Sequence, residues 1–349
     1  MQDFDALGAM LSPWLQRQQP DWGRVRVTDW RRADGGYSNV TLLARLECEN
    51  AQPPIDIVLR MQPQSHSVYP DCDIERQYRV MQALHDSEVP VPRLLGLEAD
   101  ASVLGAPFYV MARVDGQVVA ENPLYHLEGW LHDLPAQRLR QHWFSGLATV
   151  AAIARVDWRA RGLDPLAPPP GTSALSSQLA YYHRAVQWAE QLHRPYPHLH
   201  RAYEWLVAHQ PQASVLALSW GDAKLGNCVF RDGQVVAALD WEMATLANPV
   251  DDLAWWLMLD ESLSTGYGVP RLAGLPSREE SVAYWEQASG HSARDLPYYE
   301  VYAAWRMAYV MARIGTVFTQ RGWVAPELEM DLRNGGAFLL AQHAQRLGF

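Results

Sequence analysis

Cysteine is scarce in this chain: Cys48, Cys72 and Cys228 are its only three in 349 residues. An odd, widely spaced set without a CxxC pair argues against a disulfide framework and against a cysteine zinc site, and a reducing cytoplasm is the expected compartment. Long apolar runs are missing as well. Nowhere do about 18 uninterrupted apolar residues occur, as a membrane span requires. The opening MQDFDALGAMLSPWL places two acids and no base ahead of its apolar residues, so a soluble, unexported protein is expected. Positive charge is short, with 29 Lys and Arg against 39 Asp and Glu and a net charge of -10. That balance argues against broad binding to nucleic-acid phosphates, while leaving room for a local basic site for one anionic ligand. Repeats, heptads and low-complexity tracts are absent apart from the short connector Pro168-Pro169-Pro170, which sets tandem arrays aside.

What is present is ample apolar material, 48% of residues, enough for one large domain or two lobes. Val40 to Cys48 and Ile55 to Met61 read as an antiparallel strand pair around the turn-rich segment Glu49 to Pro54,. Ile74, Tyr78, Met81 and Leu84 recur at helical spacing, and the helix should end before Val89-Pro90-Val91-Pro92,. A strand over Pro107 to Arg113 precedes Asp115-Gly116, and long helical stretches rich in Trp, Leu and Ala follow. Within them, Val215 to Trp220, Cys228 to Phe230 and Gln234 to Leu239 form the one β interruption,.

The chemistry concentrates there. Ser219-Trp220-Gly221-Asp222-Ala223-Lys224-Leu225-Gly226-Asn227 puts an acid and an amide five residues apart, and Leu239-Asp240-Trp241-Glu242 adds a second acid after a hairpin. Phosphoryl transfer needs a hydroxyl held in line and magnesium neutralising the β- and γ-oxygens, so Asp222, Asn227 and Asp240 supply the required residue types. An aspartate suffices, because in a loose transition state orientation outweighs basicity. Each residue taken singly also suits an ordinary turn. Asp34-Gly35-Gly36-Tyr37-Ser38-Asn39 precedes a strand and could bring backbone N–H groups to phosphates, although Gly-Gly is equally at home in a plain turn.

WGDAKLGN followed by LDWEMATLANPVDDLAW resembles the HGDxxxxN and metal-binding segments of aminoglycoside phosphotransferases, choline kinases and their relatives. GGYSN, VLRMQP and VPVPRLLGLEADASVLGAPFYVMARVDG resemble, in order, that family's glycine loop, third strand and lobe hinge. Within the family, the chain is most similar to kinase-like domains fused to some acyl-CoA dehydrogenases, whose substrates include hydroxyacyl-CoA thioesters. The resemblance implies a bilobal protein-kinase-like α+β fold, with an N-lobe antiparallel sheet plus helix over residues 1–113 and a mainly helical C-lobe over 114–349. It further implies ATP and Mg2+ as cofactors, Asp222 as the catalytic acid, and Asn227 and Asp240 as metal ligands. Gly35, Gly36, Ser38, Asn39, Arg60, Met111 and Arg113 would be the nucleotide contacts, and the partner a small molecule bearing a hydroxyl, hydroxyacyl-CoA-like or aminoglycoside-like.

The sequence departs from the family pattern in several places. Arg60 stands for the phosphate-gripping lysine, Gln77 for the glutamate that pairs with it, Trp220 for a histidine and Asn248 for an aspartate. Gln77 can hydrogen-bond Arg60 without neutralising it, so Asp73 or the nucleotide phosphates must help. Together these departures motivate the alternative of a nucleotide-binding protein that does not catalyse. Asp252 is read either as a brace for the catalytic loop or as an ordinary N-terminal helix charge. Arg306 and Arg313 share a helix face, open to an anionic substrate or to salt bridges with surface acids. Tyr298, Tyr302, Trp305 and Tyr309 are expected in the core. The HRPYPHLH segment, with His193, His198 and His200, is expected as surface loop, without zinc. Only the stretch from Trp241 to Pro249 separates Asp240 from the next helix, too little for a protein-kinase activation segment, so a small substrate is favoured.

Overall fold

The computed structural model describes residues 4–33, 39–50, 53–63, 68–212 and 215–349. These form two compact units, residues 1–86 with 91–115, and residues 87–90 with 116–349.

The first unit contains α1 (Phe4–Gln18), β1 (Val25–Arg32), β2 (Val40–Cys48), β3 (Ile55–Met61), α2 (Ile74–Leu84), β4 (Leu94–Glu98) and β5 (Phe108–Ala112). Its antiparallel sheet runs β1-β2-β3-β5-β4. Period-2 alternation sends Leu42, Leu46, Ile57, Leu59, Phe108 and Val110 into one core with Leu11, Trp14 and Leu15 of α1,. Helix α1 lies very close to the sheet. A Cβ on Gly96 of β4 would come within 2.7 Å of the Trp14 ring, and the Trp14 indole donates to Glu98 at 2.8 Å. The opposite face presents Arg60 and Met111, on neighbouring strands whose cross-strand partners are Tyr109 and Val58. Helix α2 starts where the Asp73 carboxylate accepts from the Arg76 backbone N–H at 2.8 Å, an N-cap that occupies the acid.

The second unit contains β6 (Gln117–Val118), α3 (Ala136–Ala154), α4 (Ala174–Leu192), α5 (Pro197–Ala208), β7 (Ala217–Ser219), β8 (Cys228–Arg231), β9 (Gln234–Ala238), β10 (Thr245–Ala247), α6 (Val250–Leu263), α7 (Arg278–Ser289), α8 (Leu296–Gln320) and α9 (Gly335–Leu347). Strands β6, β8 and β9 make one small sheet, and β7 pairs with β10. Helix α6 is buried on almost every side and is therefore central to the unit. Asn248 opens it by accepting from the Val250 N–H at 3.0 Å. Helix α8 buries Tyr298, Tyr302, Trp305 and Tyr309, the expected core stripe. The His-rich segment is corrected: Pro197 begins α5, so His198 and His200 are helical, and His200 bonds His183 at 3.1 Å and Glu190 at 2.9 Å.

Candidate active site

The loop between β7 and β8 carries Asp222. Gly221 before it has φ +83°, and a Cβ there would lie 2.3 Å from the Met243 carbonyl oxygen, so both conformation and space demand glycine,. The Asp222 carboxylate is held at both oxygens. The Trp255 indole N–H of α6 donates to Oδ1 at 2.9 Å, and the Asn227 amide donates to Oδ2 at 2.8 Å and to the Asp222 carbonyl at 3.0 Å. An indole N–H can only donate, so Oδ1 is the acceptor in this contact,.

Asn227 ends one turn of 3-10 helix, Leu225–Asn227. Its carbonyl accepts from Leu239 N–H at 2.8 Å, and Cys228 pairs with Ala238 in the β8–β9 ladder. That register sets Asp240 just beyond the strand end beside Asn227. Asp240 has φ +58°, a left-handed geometry that aspartate tolerates better than most residues. Trp220 fills the position of the family's histidine. It is fully buried, donates its indole N–H to the Leu239 carbonyl at 2.8 Å and packs beside Trp241, so it ties the Asp222 loop to the strand leading to Asp240.

Beneath the loop lies a buried polar support. Asp252 accepts from Ser219 Oγ at 2.9 Å, Trp220 N–H at 2.7 Å and Gly221 N–H at 2.8 Å, which makes it a brace. Burial and the adjacent Asp251 push its carboxyl up to about 6, against the pull of those hydrogen bonds. Arg306 of α8 pairs with Asp251 at 3.0 Å, donates to the Gly221 carbonyl at 2.7 Å and stacks 4.4 Å from the Trp255 ring. Its partner is thus a buried acid, neither a substrate nor a surface acid.

Lys224 completes the loop. Its Nζ lies 3.2 Å from Glu121 and 3.4 Å from Asp222 Oδ2. Burial disfavours its charge, but Asp222, Glu121 and Asp240 more than offset that and hold the ammonium above the usual lysine range.

In the first unit, the expected nucleotide contacts are partly visible. Gly35, Gly36 and Ser38 lie outside the described residues, and Asn39 is buried, its Oδ1 accepting from Cys72 at 3.3 Å. Arg60 and Gln77 are both buried, and the Gln77 carbonyl accepts from Tyr109, the strand neighbour of Arg60, at 3.4 Å. Glu75 instead pairs with Arg79 on the surface. Met111 is buried in β5, and Arg113 bonds Asp56 through backbone at 2.8 Å and side chain at 3.4 Å.

Glu121, Lys224, Trp255 and the loop contact of Arg306 were not among the sequence candidates. Lys224 had a signal, being the only lysine in the chain; the others act across more than 30 residues of sequence, where spacing says nothing.

Residues 29–290 match the model of the Phosphotransferase enzyme family, and the chain belongs to that family. It is 32% identical over 230 residues to acyl-CoA dehydrogenase family member 10 of Mus musculus, covering 64% of this chain and 19% of that protein. To family member 11 of Rattus norvegicus it is 26% identical over 294 residues, covering 80% and 35%. The chain therefore spans about a third or less of the curated relatives it matches. Among solved structures it superposes on a Ralstonia eutropha protein of the aminoglycoside phosphotransferase kind, with a TM-score of 0.74, 23% identity and coverage of 97% and 98%. It also superposes on an ethanolamine kinase of Plasmodium vivax, with a TM-score of 0.59, 10% identity and coverage of 90% and 81%. A third match is an aminoglycoside phosphotransferase in complex with ADP and hygromycin B, with a TM-score of 0.57, 16% identity and coverage of 95% and 98%. These likenesses establish the protein-kinase-like α+β fold.

Proposed function

We propose that the chain is a small-molecule kinase that moves the γ-phosphoryl group of Mg-ATP to a substrate hydroxyl. The observation that carries this reading is Asp222, fixed at both carboxylate oxygens by Trp255 and Asn227 in a loop that also brings Asn227 beside the strand end bearing Asp240. Asp222 accepts the hydroxyl's hydrogen bond and aligns its oxygen. As the new oxygen–phosphorus bond forms, the bond to the β,γ-bridging oxygen breaks and ADP leaves with that electron pair. The hydroxyl proton passes to Asp222 and then to solvent.

The donor set suits magnesium. With its amide nitrogen committed to Asp222, Asn227 offers Oδ1, and Asp240 offers a carboxylate. Among the described residues no group of three or more His, Cys, Asp or Glu side chains could cage a metal by itself. An ion held by one carboxylate, one amide and nucleotide phosphates is the usual magnesium arrangement, and when bound it neutralises the phosphate oxygens. The acceptor we propose is a hydroxyacyl thioester or an aminoglycoside-like alcohol, and the relatives, named for acyl-CoA, are the reason to test the thioester first.

The test is thermal unfolding with and without Mg-ATP for wild type and Asp240→Asn. Nucleotide at about 100 times Kd stabilises by about 2.7 kcal/mol. A magnesium-dependent rise in Tm that the substitution weakens is expected; no rise at millimolar nucleotide would contradict the reading.

A further inference from the structure

Helices α5 and α9 both dock on α8 and leave a trough between them. On the α5 side, the Trp305 indole N–H of α8 donates to the Leu199 carbonyl at 2.9 Å, and the Tyr298 hydroxyl donates to the Leu206 carbonyl at 2.9 Å. On the α9 side, Gly336 lets the helix press so close that a Cβ there would lie 2.7 Å from Met307 Cγ and 2.8 Å from the Ala308 nitrogen. The gap stays open because α9 turns short side chains toward it: Ala337, Ala341 and Ala344 fall on one helical face, and line the trough together with Leu340. The Phe349 ring also lines it, packed 5.3 Å from Trp205 of α5. The cavity holds about 350 Å3, within the range of small-molecule sites. Taking the roughly 30 Å3 of one water in the liquid as the share of a non-hydrogen atom, it has room for about a dozen such atoms.

The α9 side of this trough is apolar, and the α5 side carries a cation. His198 and Arg201, three residues apart and so on one face of α5, complete the lining,. Arg201 is exposed, and among the described residues no carboxylate pairs with it, although the chain carries 39 acids against 29 bases. The acids that act on His198 are engaged elsewhere, Asp331 with Arg194 at 3.1 Å and Tyr196 at 3.3 Å, and Glu190 with His200 at 2.9 Å. Burial, and after it Arg201, hold the His198 imidazole below its usual range, so at neutral pH the charge on this side is that of Arg201. Helices α5 and α9 supply none of the side chains that hold Asp222, which come from Trp255, Asn227 and Lys224.

We propose that the trough between α5 and α9 binds a medium-chain carboxylate, with its alkyl chain along Ala337, Ala341 and Ala344 and its head group on Arg201. A guanidinium fork matches the two oxygens of a carboxylate, and a straight alkyl chain is the apolar shape that a trough one alanine face wide admits. Decanoate, with roughly a dozen non-hydrogen atoms, matches the volume. Burial of the chain against alanine, leucine and phenylalanine supplies the affinity, and the arginine sets which end of the ligand lies where. The site is separate from the residues proposed for phosphoryl transfer and does not rest on that reading.

Titration calorimetry of the full chain with decanoate, kept below its micelle range, tests this. One saturable site is expected, with decanol, the same chain without the charge, about tenfold weaker. Arg201→Ala is expected to weaken decanoate about tenfold. Ala341→Trp, which fills the trough from an exposed helix position, is expected to abolish binding, with the Tm of both variants close to that of wild type. Absence of a saturable site would overturn the proposal, as would equal affinity for decanol and decanoate. Decanoate bound equally by wild type and both variants would place its site elsewhere and overturn it too. So would a dimer in sedimentation that Ala341→Trp dissociates, since a second copy would then be what covers the trough. Should Ala341→Trp fail to fold, Arg201→Ala, a change at the surface, decides.

Discussion

In the first unit, Leu42, Leu59, Phe108 and Val110 pack on Leu11 and Trp14 with exposures of 0 to 1% and no charge among them. In the second, the loop bearing Asp222 rests on Asp251, Asp252 and Arg306, equally buried at 1 to 3% and almost wholly ionic or hydrogen-bonded. An apolar layer asks only for volume and pattern, and it tolerates exchange of one aliphatic residue for another. A buried polar support asks for particular partners: Trp220 and Asp252 are 32 residues apart, and Gly221 and Arg306 are 85. Removing one partner strands the other in a low-dielectric interior. The second arrangement stabilises less per residue but fixes orientation, which is what the role proposed for Asp222, aligning a hydroxyl, requires.

Substitutions in the two regions should therefore fail differently. Arg306→Met leaves Asp251 buried without its cation and Gly221 without its donor, and is expected to cost about 3 to 5 kcal/mol together with most ADP release. Leu59→Ala, measured in the same denaturant series, is expected to cost about 3 kcal/mol while the fraction that remains folded keeps its turnover. Equal losses of turnover per folded molecule would erase the distinction.

A smaller effect sharpens it through pH. The Asp252 carboxyl is raised from 3.8 to about 6 in the folded protein, by burial and by Asp251, so the folded state binds its proton more tightly than the unfolded chain does. Its stabilising contribution is complete below about pH 4 and is lost as pH rises through about 6, with a slope of at most about 1.4 kcal/mol per pH unit. Asp252→Asn removes that slope. Urea midpoints between pH 4 and 7 should show wild type losing stability relative to the variant as pH rises, and parallel curves would rule out this assignment.

The same contrast explains what could be read from sequence. Strands β2 and β3 have the expected bounds, Val40–Cys48 and Ile55–Met61, and helix α2, Ile74–Leu84, covers the stretch of helical spacing and ends before Val89 as expected, because period-2 and helical spacing are local signals. Helix α1 is hard to see in the sequence because Pro13, a residue that disfavours helix interiors, lies within it,. Strand β1 escaped because VRVTDWRR mixes charges into a half-exposed edge. At the site, Asp222, Asn227 and Asp240 were legible as a motif at fixed spacing. Their supports were not: Asp252 could be read only as brace or helix charge, Arg306 was expected at an anionic ligand or a surface acid, and Trp255 gave no sign of its bond to Asp222. Local pattern names the candidate site residues, whereas the tertiary fold alone reveals what holds them.

The central claim is that Asp222 orients a hydroxyl for attack on the nucleotide, and the most direct measurement compares ADP release from Mg-ATP by wild type and Asp222→Asn, with water and with small hydroxyl compounds, including a hydroxyacyl thioester, as acceptors. Wild-type release that falls about 1,000-fold in the variant, with the Mg-ATP thermal shift retained, is the predicted result. Equal release by both proteins would contradict the account.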